Sequence, residues 1–503
     1  MTNLTIEDMA VFCKRKGFVY PNSEIYGGLA GFWDYGHLGV ELKNNIKQQW
    51  WKYHVQSRED IVGIDGSIIA NPKVWIASGH VASFSDLMLT TKKSKAKIRA
   101  DQFIADKLGI ATDGMKADEI NALIKKHNLK YNDEEFEELN NFNLMFETNV
   151  GPDEGQKAYL RPETAQLIFA DFKLVVENAR LKLPFGIAQI GRAFRNEISP
   201  RDFLFRCREF EQMEIEYFVH PKNTKKCPFI NEVMEDELNF YSEEAQKKKK
   251  EPVRMKIKDA LKKNILSEWH AYWLAISQKW FIDLGAKAEN FRARQHIKEE
   301  KSHYALDTWD LEYNFPFGWK ELQGIANRTD FDLQQHIKVS GKDLSLFDEE
   351  TKQKVVPHVV CEPSLGVDRA FLVFMFDAYE YDKKRDNIVL KLHPKLAPIK
   401  LGFFPLVNKL EDKAKEIFDS LKTEFVSTYD RSGSIGRRYA RADEIGIPYC
   451  ITIDFDTLKD NAVTLRNRDD TKQVRIAIND LKEKIGRLIS GKIRFEDAGK
   501  LIA

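Results

Sequence analysis

The chain has 503 residues, long enough for two or more domains with substantial cores. Hydrophobic residues make up 43% and charged residues 31%, and 78 Lys plus Arg nearly cancel 77 Asp plus Glu, leaving a net charge of +1. That balance excludes a polycationic wrapper for nucleic acid but allows a local basic face.

The N-terminus has no signal-type apolar stretch and no apolar run reaches membrane-spanning length, so the chain is expected in a reducing cytoplasm, away from membranes. The five cysteines (13, 207, 227, 361 and 450) include no C-x-x-C pair, which argues against a disulfide framework or zinc knuckle. Residues 38–56 read as an amphipathic helix, followed by an apolar strand, IVGIDGSII, and Pro72. A lysine-rich, glycine-poor segment at about 91–147 reads as a helical insertion, and strand-like patterning resumes at 158.

Residues 190–218, IGRAFRNEISPRDFLFRCREFEQMEIEYF, are apolar enough for a core element yet heavily charged. Counted in twos, Arg206, Arg208, Phe210, Gln212, Glu214 and Glu216 share one face. Phe205, Cys207, Met213, Ile215 and Tyr217 share the other, broken by Glu209 and Glu211. A helical stripe also fits, but Ile198-Ser199-Pro200-Arg201-Asp202 is turn chemistry that breaks a helix and joins two strands. The expected form is a long hairpin with charge on one face. Whether that face is plain solvated surface stays open on this stretch alone.

A second charged helical block is expected at about 221–285, its lysine run read as a solvated helix face or loop with RNA contact as the alternative, followed by strands at 307–313, 319–326 and 355–360. Beyond HPKLAPIK the alternation suits a small α/β domain: strand LGFFPLV, two helices, strands PYCITIDF and AVTLRNR, and a helix from RIAINDL onward. Gly486 to Lys492 fits G-x-x-x-x-G-K, but Ile493 stands where Ser or Thr would hold magnesium. The segment also closes a helix, so it is read as a helix C-terminus.

Phe194-Arg195-Asn196-Glu197, a loop, then Arg206 and Phe210 resemble motif 2 of the class II aminoacyl-tRNA synthetases. Glu362-Pro-Ser-Leu-Gly366-Val-Asp-Arg369 resembles motif 3, and the 38–56 helix with its strand and Pro72 resembles the dimer-forming motif 1. SEIYGGLAGFWDYG, SGHVASFSD, AYLRPETAQ, ELQGIANRTDFDL and EPSLGVDR, in that order, narrow the resemblance to the dimeric glycyl-tRNA synthetase family, and 396–490 resembles its anticodon-binding domain.

The resemblance implies an α+β protein. A catalytic domain spans 1–395, an antiparallel sheet flanked by helices with helical insertions, and an α/β anticodon-binding domain spans 396–503. It implies a cytoplasmic homodimer that activates glycine with ATP and Mg²⁺ and charges tRNA-Gly, with no structural zinc, since TTKKSKAKIRAD offers no cysteines. Arg195, Arg206 and Arg369 would grip the phosphates, with Asn196, Glu197, Phe205, Phe210, Leu322 and Gly366 completing the ATP site. Glu321 would hold Mg²⁺. Glu163, Glu214 and Glu362 would surround the glycine ammonium, Arg328 would hold its carboxylate, and Ser364 would crowd its α-carbon beside Phe210 and Arg99. Arg208 and Glu209 would be supporting residues. His37 departs from the family's usual proline, which puts the start of the motif 1 helix in question. Two other readings stand beside the ligase: a non-catalytic synthetase-like accessory protein, and a synthetase for another small amino acid.

Overall fold

The structure is a computed structural model that describes residues 4–110, 112, 115–152, 155–298, 300, 305–349 and 351–502. Helix α1, His37–Trp51, buries Leu38, Leu42, Ile46 and Trp50 at helical spacing. It begins on His37 itself, whose ring lies against Gly17; a Cβ there would come within 2.4 Å of the ring. The missing proline therefore leaves the helix start in place. A π-helical turn, Lys52–Gln56, then leads the chain into β1, Ile61–Ile64.

Helix α2, Ala165–Ala179, precedes a hairpin of β2, Phe185–Phe194, and β3, Glu209–Val219, in continuous antiparallel register. Arg206 and Arg208 sit in the connecting loop, short of the strand to which simple alternation assigns them. From Phe210 the alternation holds. Tyr217 packs its ring on Trp269 and Trp273, while Gln212, Glu214 and Glu216 stand on the opposite face. Glu211, which breaks the apolar side, is neutralised by Lys43 and Lys47 of α1 at 3.2 and 2.9 Å.

Residues 221–285 differ from the expected charged helical block. They contribute β4, Glu237–Tyr241, and β5, Val253–Lys256, to the edge of the main sheet, and then α3, Glu268–Asp283. Helix α3 is apolar almost all round, and Trp269, Trp273 and Trp280 are buried in the core beneath the sheet. The neighbouring lysines that dominate the segment's composition are exposed, as expected of a solvated run.

Strands β6 (Phe291–Gln295), β7 (Asp307–Phe315), β8 (Gly318–Asn327) and β9 (His358–Gly366), with helices α4 (Phe331–Ser340) and α5 (Val367–Ala378), complete the unit. The nine-stranded order is β5-β4-β6-β7-β8-β9-β3-β2-β1, antiparallel except at β4/β6 and β1/β2. Its register aligns Arg294, Asp310, Gly324, Ser364, Glu214 and Gln189 in one row across six strands.

The first insertion is likewise not purely helical. Helices Ala100–Leu108 and Ala117–Lys126 pack on a three-stranded sheet made by Ser85–Thr90, Lys97–Arg99 and Asn140–Asn143, with a small core of its own.

Residues after 400 form a six-stranded mixed sheet with a separate core. The final pattern from Arg475 begins as strand Gln473–Ala477, and the helix starts only at Leu481. That helix ends on Gly491 at φ 74°, so the G-x-x-x-x-G-K match is a helix terminus. At the junction Lys400 donates to the carbonyls of Pro394, Lys395 and Ala397 at 2.9, 2.8 and 2.7 Å, and burial lowers its pKa to about 8. Arg385 reaches across to Asp443 and to the carbonyls of Arg468 and Asp469. Among the described residues no helix is long and apolar enough to cross a membrane.

Candidate active site

Three arginines, two from the β2–β3 loop and one from α5, converge where that loop meets the start of α5. Arg195 directly follows β2, donates Nε to the Pro162 carbonyl at 3.0 Å, and lays its guanidinium 5.3 Å from the centre of the Phe210 ring. Arg206 approaches the buried Glu197 at 3.1 Å. Arg369, in the first turn of α5, stacks on Phe205 at 4.5 Å, donates to the Glu321 carbonyl at 2.9 Å and lies 3.4 Å from its carboxylate. With Glu197, Phe205, Phe210, Leu322 and Gly366 they line one cavity. Guanidinium forks in such a groove suit a polyphosphate, because they stay charged and bond two oxygens at once. Asn196 is outside the lining; its backbone N–H donates to the Leu144 carbonyl.

The loop carrying these groups is clasped from behind. The Arg208 N–H donates to the Gly31 carbonyl at 2.8 Å, and its guanidinium to the carbonyls of Ala30 and Glu197, both at 3.0 Å. Gly31 has φ +80°, and a Cβ there would fall 2.7 Å from Pro200, so this contact requires glycine. Glu209 pairs with Arg192. Asp368, beside Arg369, accepts from the Glu211 N–H at 2.9 Å, Lys43 at 3.1 Å and the Tyr35 hydroxyl.

A second chamber opens from the first and shares Arg195, Gln212, Glu321 and Ser364 with it. Its further walls include Glu163, Glu214, Glu362, His296 and Asp310. The cross-sheet row explains its shape. Gly324 stands between Asp310 and Ser364, and a Cβ there would meet only Glu321 and Asp310 oxygens at 3.7 and 3.8 Å. Glycine at this place leaves a floor without a side chain.

The chamber is strongly acidic. Burial works against ionising Glu163, but His80, 3.4 Å away, and Arg328 outweigh it and hold the carboxyl well below its ordinary range. Glu214 accepts the Thr164 hydroxyl, while burial and the Glu163 charge push its pKa up. Burial raises Asp310 to about 6 against the pull of His296, 2.7 Å away. At Glu321 partial desolvation is overcome by Arg369, His296 and Arg195, which keep its carboxyl low.

Three expected glycine-site residues are placed elsewhere, Phe210 among them, which lines the first cavity and not the second. Arg328 is buried, with Nε and Nη2 on Asp332 at 2.7 and 2.8 Å and Nη1 on Glu362 at 2.7 Å, and it does not line the chamber. Its fork is directed at two carboxylates of the chain itself. Arg99 grips Asp101 and Asp86 at 2.8 and 2.9 Å and lines a neighbouring cavity of mixed charge, with Arg206, Arg292, Arg294 and Arg369 facing Asp310, Glu312 and Glu321. His80, Thr164, Gln212, Gly324 and the His296–Asp310 pair escaped sequence reasoning. Only Gln212 carried a signal, being in step with Phe210 and Glu214.

In the C-terminal domain Arg438 is buried and donates to the Pro405 carbonyl at 2.6 Å, Arg441 pairs with Asp430, and Tyr439 turns inward under Arg466 at 4.6 Å. Arg437, on the same helix, is exposed, as is Arg441.

The tRNA synthetase class II core domain family (G, H, P, S and T) matches residues 145–378, and the anticodon binding domain family matches residues 400–488. The glycine–tRNA ligase of Caldanaerobacter subterraneus subsp. tengcongensis is 45% identical over 504 residues, covering 98% of this chain and 99% of that one. The glycine–tRNA ligase of a Bacillus cereus strain is 46% identical over 490 residues, 95% and 98% of the two chains, and that of Alkaliphilus metalliredigens is 45% identical over 507 residues, 98% and 100%. With this identity over nearly its whole length, and both domain families in order, the chain belongs to the glycine–tRNA ligase family of class II aminoacyl-tRNA synthetases.

Proposed function

We propose that the two chambers divide the small substrates of glycine–tRNA ligation: the arginine chamber takes ATP and the carboxylate chamber takes glycine. The reaction has two steps. The glycine carboxylate displaces pyrophosphate from the α-phosphorus of ATP, giving glycyl adenylate, and the terminal ribose hydroxyl of tRNA then displaces AMP. The first step needs no general base, because the nucleophile is already ionised. The protein's task is positioning and charge stabilisation.

One observation carries the reading. Arg195, Gln212, Glu321 and Ser364 line both chambers, so they stand where an ammonium-bound carboxylate and a phosphate chain would meet. In this reading Arg195, Arg206 and Arg369 neutralise the phosphates, Phe210 and Phe205 supply apolar faces for the base, and Glu197 orients Arg206. Glu163, Glu214 and Glu362 take the ammonium. Arg328 acts by fixing Glu362. The ionised Glu321, beside Arg369, suits Mg²⁺, which when bound neutralises phosphate charge. ATP–pyrophosphate exchange measured with each of the twenty amino acids is the test: glycine alone should support it, and support by a larger amino acid would overturn the assignment.

Ser364 offers a finer check. Its hydroxyl accepts from Gln212 at 3.3 Å and, with Gly324 and Glu214 in the same row, bounds the place for an α-carbon. Ser364→Gly should make alanine activation detectable without admitting large side chains, a difference worth about 1–3 kcal/mol. Glycine activation that persists with alanine still silent would remove Ser364 from this role.

The homodimer is proposed to form through the motif 1 region, the 38–56 helix with its following strand and Pro72, and the chain to work in the cytoplasm. The catalytic unit is proposed to end near 395 and the tRNA-reading unit to follow. Because Arg385 and Lys400 tie the two together, the full-length protein is the better test object. Arg437→Glu should weaken tRNA binding about tenfold at low salt and flatten its salt dependence by about one phosphate contact. Glycine-dependent pyrophosphate exchange should not change. Unaltered tRNA binding would dismiss Arg437 as an RNA contact.

A further inference from the structure

We infer that Glu216 is a positioning residue of the glycine pocket that works as a neutral carboxylic acid, steadying Glu362 across the sheet without adding a further negative charge. The inference rests on the assignment of Glu214 and Glu362 to the glycine ammonium.

Glu216 follows Glu214 on the same face of β3, and the register Glu214↔Ser364 and Tyr217↔Cys361 sets it opposite Glu362 of β9. Two buried carboxylates facing each other across neighbouring strands repel at close range. Glu214, Glu216 and Glu362 each bring an oxygen within 4.8 Å of the other two. Glu214 has the Thr164 hydroxyl, and Glu362 has Arg328 at 2.7 Å. Glu216 is 0% exposed, and among the described residues neither of its oxygens has a hydrogen-bond partner. An ionised carboxylate in that state would bear the full cost of desolvation with nothing in return.

The groups around it agree. Glu214 lies on its own strand, Glu362 on β9, Arg328 just before α4, and Asp332 and His336 on α4. Arg328 is committed to Asp332 and Glu362, and His336 is bonded to Gln166. On β2 the partner is the apolar Ile187. Among the described residues no cation pairs with Glu216. Burial and the Glu362 charge accordingly push its pKa well above the ordinary value, against Arg328. Burial pushes Glu362 well above its ordinary value too, and Glu214 is raised as well, but among the described residues Glu216 is the one of the three without a donor, so the proton is placed there. The chamber then meets the ammonium with the charges of Glu163, Glu214 and Glu362 alone.

Three variants and two measurements test this. Glu216→Ala should raise the glycine KM in pyrophosphate exchange about tenfold or more, since Glu362 loses a polar neighbour. Glu216→Gln, neutral and of the same shape, should restore KM to within about twofold of wild type. Glu214→Gln, which removes a charge from the ammonium site, should raise it about tenfold or more.

The second measurement is the melting temperature against pH. Wild-type Glu216 keeps its proton in the folded chain and loses it in the unfolded one. Its stabilising contribution is therefore full below the unfolded carboxyl pKa and fades as pH rises towards the folded value. Glutamine has no proton to lose, so the Tm of Glu216→Gln minus that of wild type should climb between about pH 5 and pH 8.

A glycine KM for Glu216→Gln as high as for Glu214→Gln, or a Tm difference that stays flat with pH, would show an ionised countercharge and overturn the inference. An unchanged KM in Glu216→Ala would overturn the positioning role. If Glu216→Ala does not fold, the glutamine variant and its Tm profile still decide. A KM unmoved by Glu214→Gln would bring down the glycine-pocket reading itself.

Discussion

Arg195→Ala should leave a folded protein that forms glycyl adenylate about 10²–10³-fold more slowly, a loss of about 2.7–4 kcal/mol of transition-state stabilisation. The side chain makes one hydrogen bond to the fold, Nε to the Pro162 carbonyl, and otherwise lies against Phe210 and Phe84. Removing it costs the structure little. Its guanidinium borders both chambers, where the α-phosphorus would gain its fifth ligand. The loss should fall mainly on kcat, because the charge to be stabilised develops as pyrophosphate departs. Near-normal exchange in a folded Arg195→Ala protein would sink the motif 2 assignment.

Arg328→Ala should be damaging in a different way, first to stability and only then to activity. The wild-type guanidinium is buried between Asp332 and Glu362, with three bonds of 2.7–2.8 Å. Its removal leaves two buried carboxylates without their cation, a change that typically costs about 3–5 kcal/mol. The variant should be least stable at neutral and alkaline pH and recover part of the loss as pH falls towards about 5, because protons can then neutralise the abandoned carboxylates. Chemical denaturation of both proteins at several pH values measures this. If Arg328 instead served mainly to hold the substrate's carboxylate, the variant would unfold like wild type and show only a raised glycine KM. The two outcomes are separable in one set of samples.

These variants mark where sequence reading stopped. Residue types and local order in the chain were enough for the motif blocks, the β2–β3 hairpin with its broken charged face, the α/β rhythm of the C-terminal domain and the rejection of the G-x-x-x-x-G-K match. Each is a local property, set by side-chain period, turn chemistry or helix termination within a short window. Resemblance then placed Arg195, Arg206, Phe210, Glu321 and Arg369 in one site, and the fold brings them around one cavity.

What the sequence could not decide was which charge meets which. Period two tells that Glu214 and Glu216 share a face, but only strand register sets Ser364 against one and Glu362 against the other. The same long-range pairing puts the empty Gly324 position between Asp310 and Ser364 and turns Arg328 onto Asp332 and Glu362. It carries Arg99 to the neighbouring cavity and buries Arg438 under Pro405. It also draws β4, β5 and α3 out of an apparently charged segment and into the main sheet and core, because a segment's average composition conceals one apolar helix flanked by lysines. A carboxylate's chemistry depends on burial and on its nearest donors, and both are fixed by contacts between segments far apart in the chain. The sequence alone determined the kind of enzyme and the roster of its charged groups; the tertiary structure decided which of them line the chambers and which are paired with one another, because both depend on contacts between distant segments.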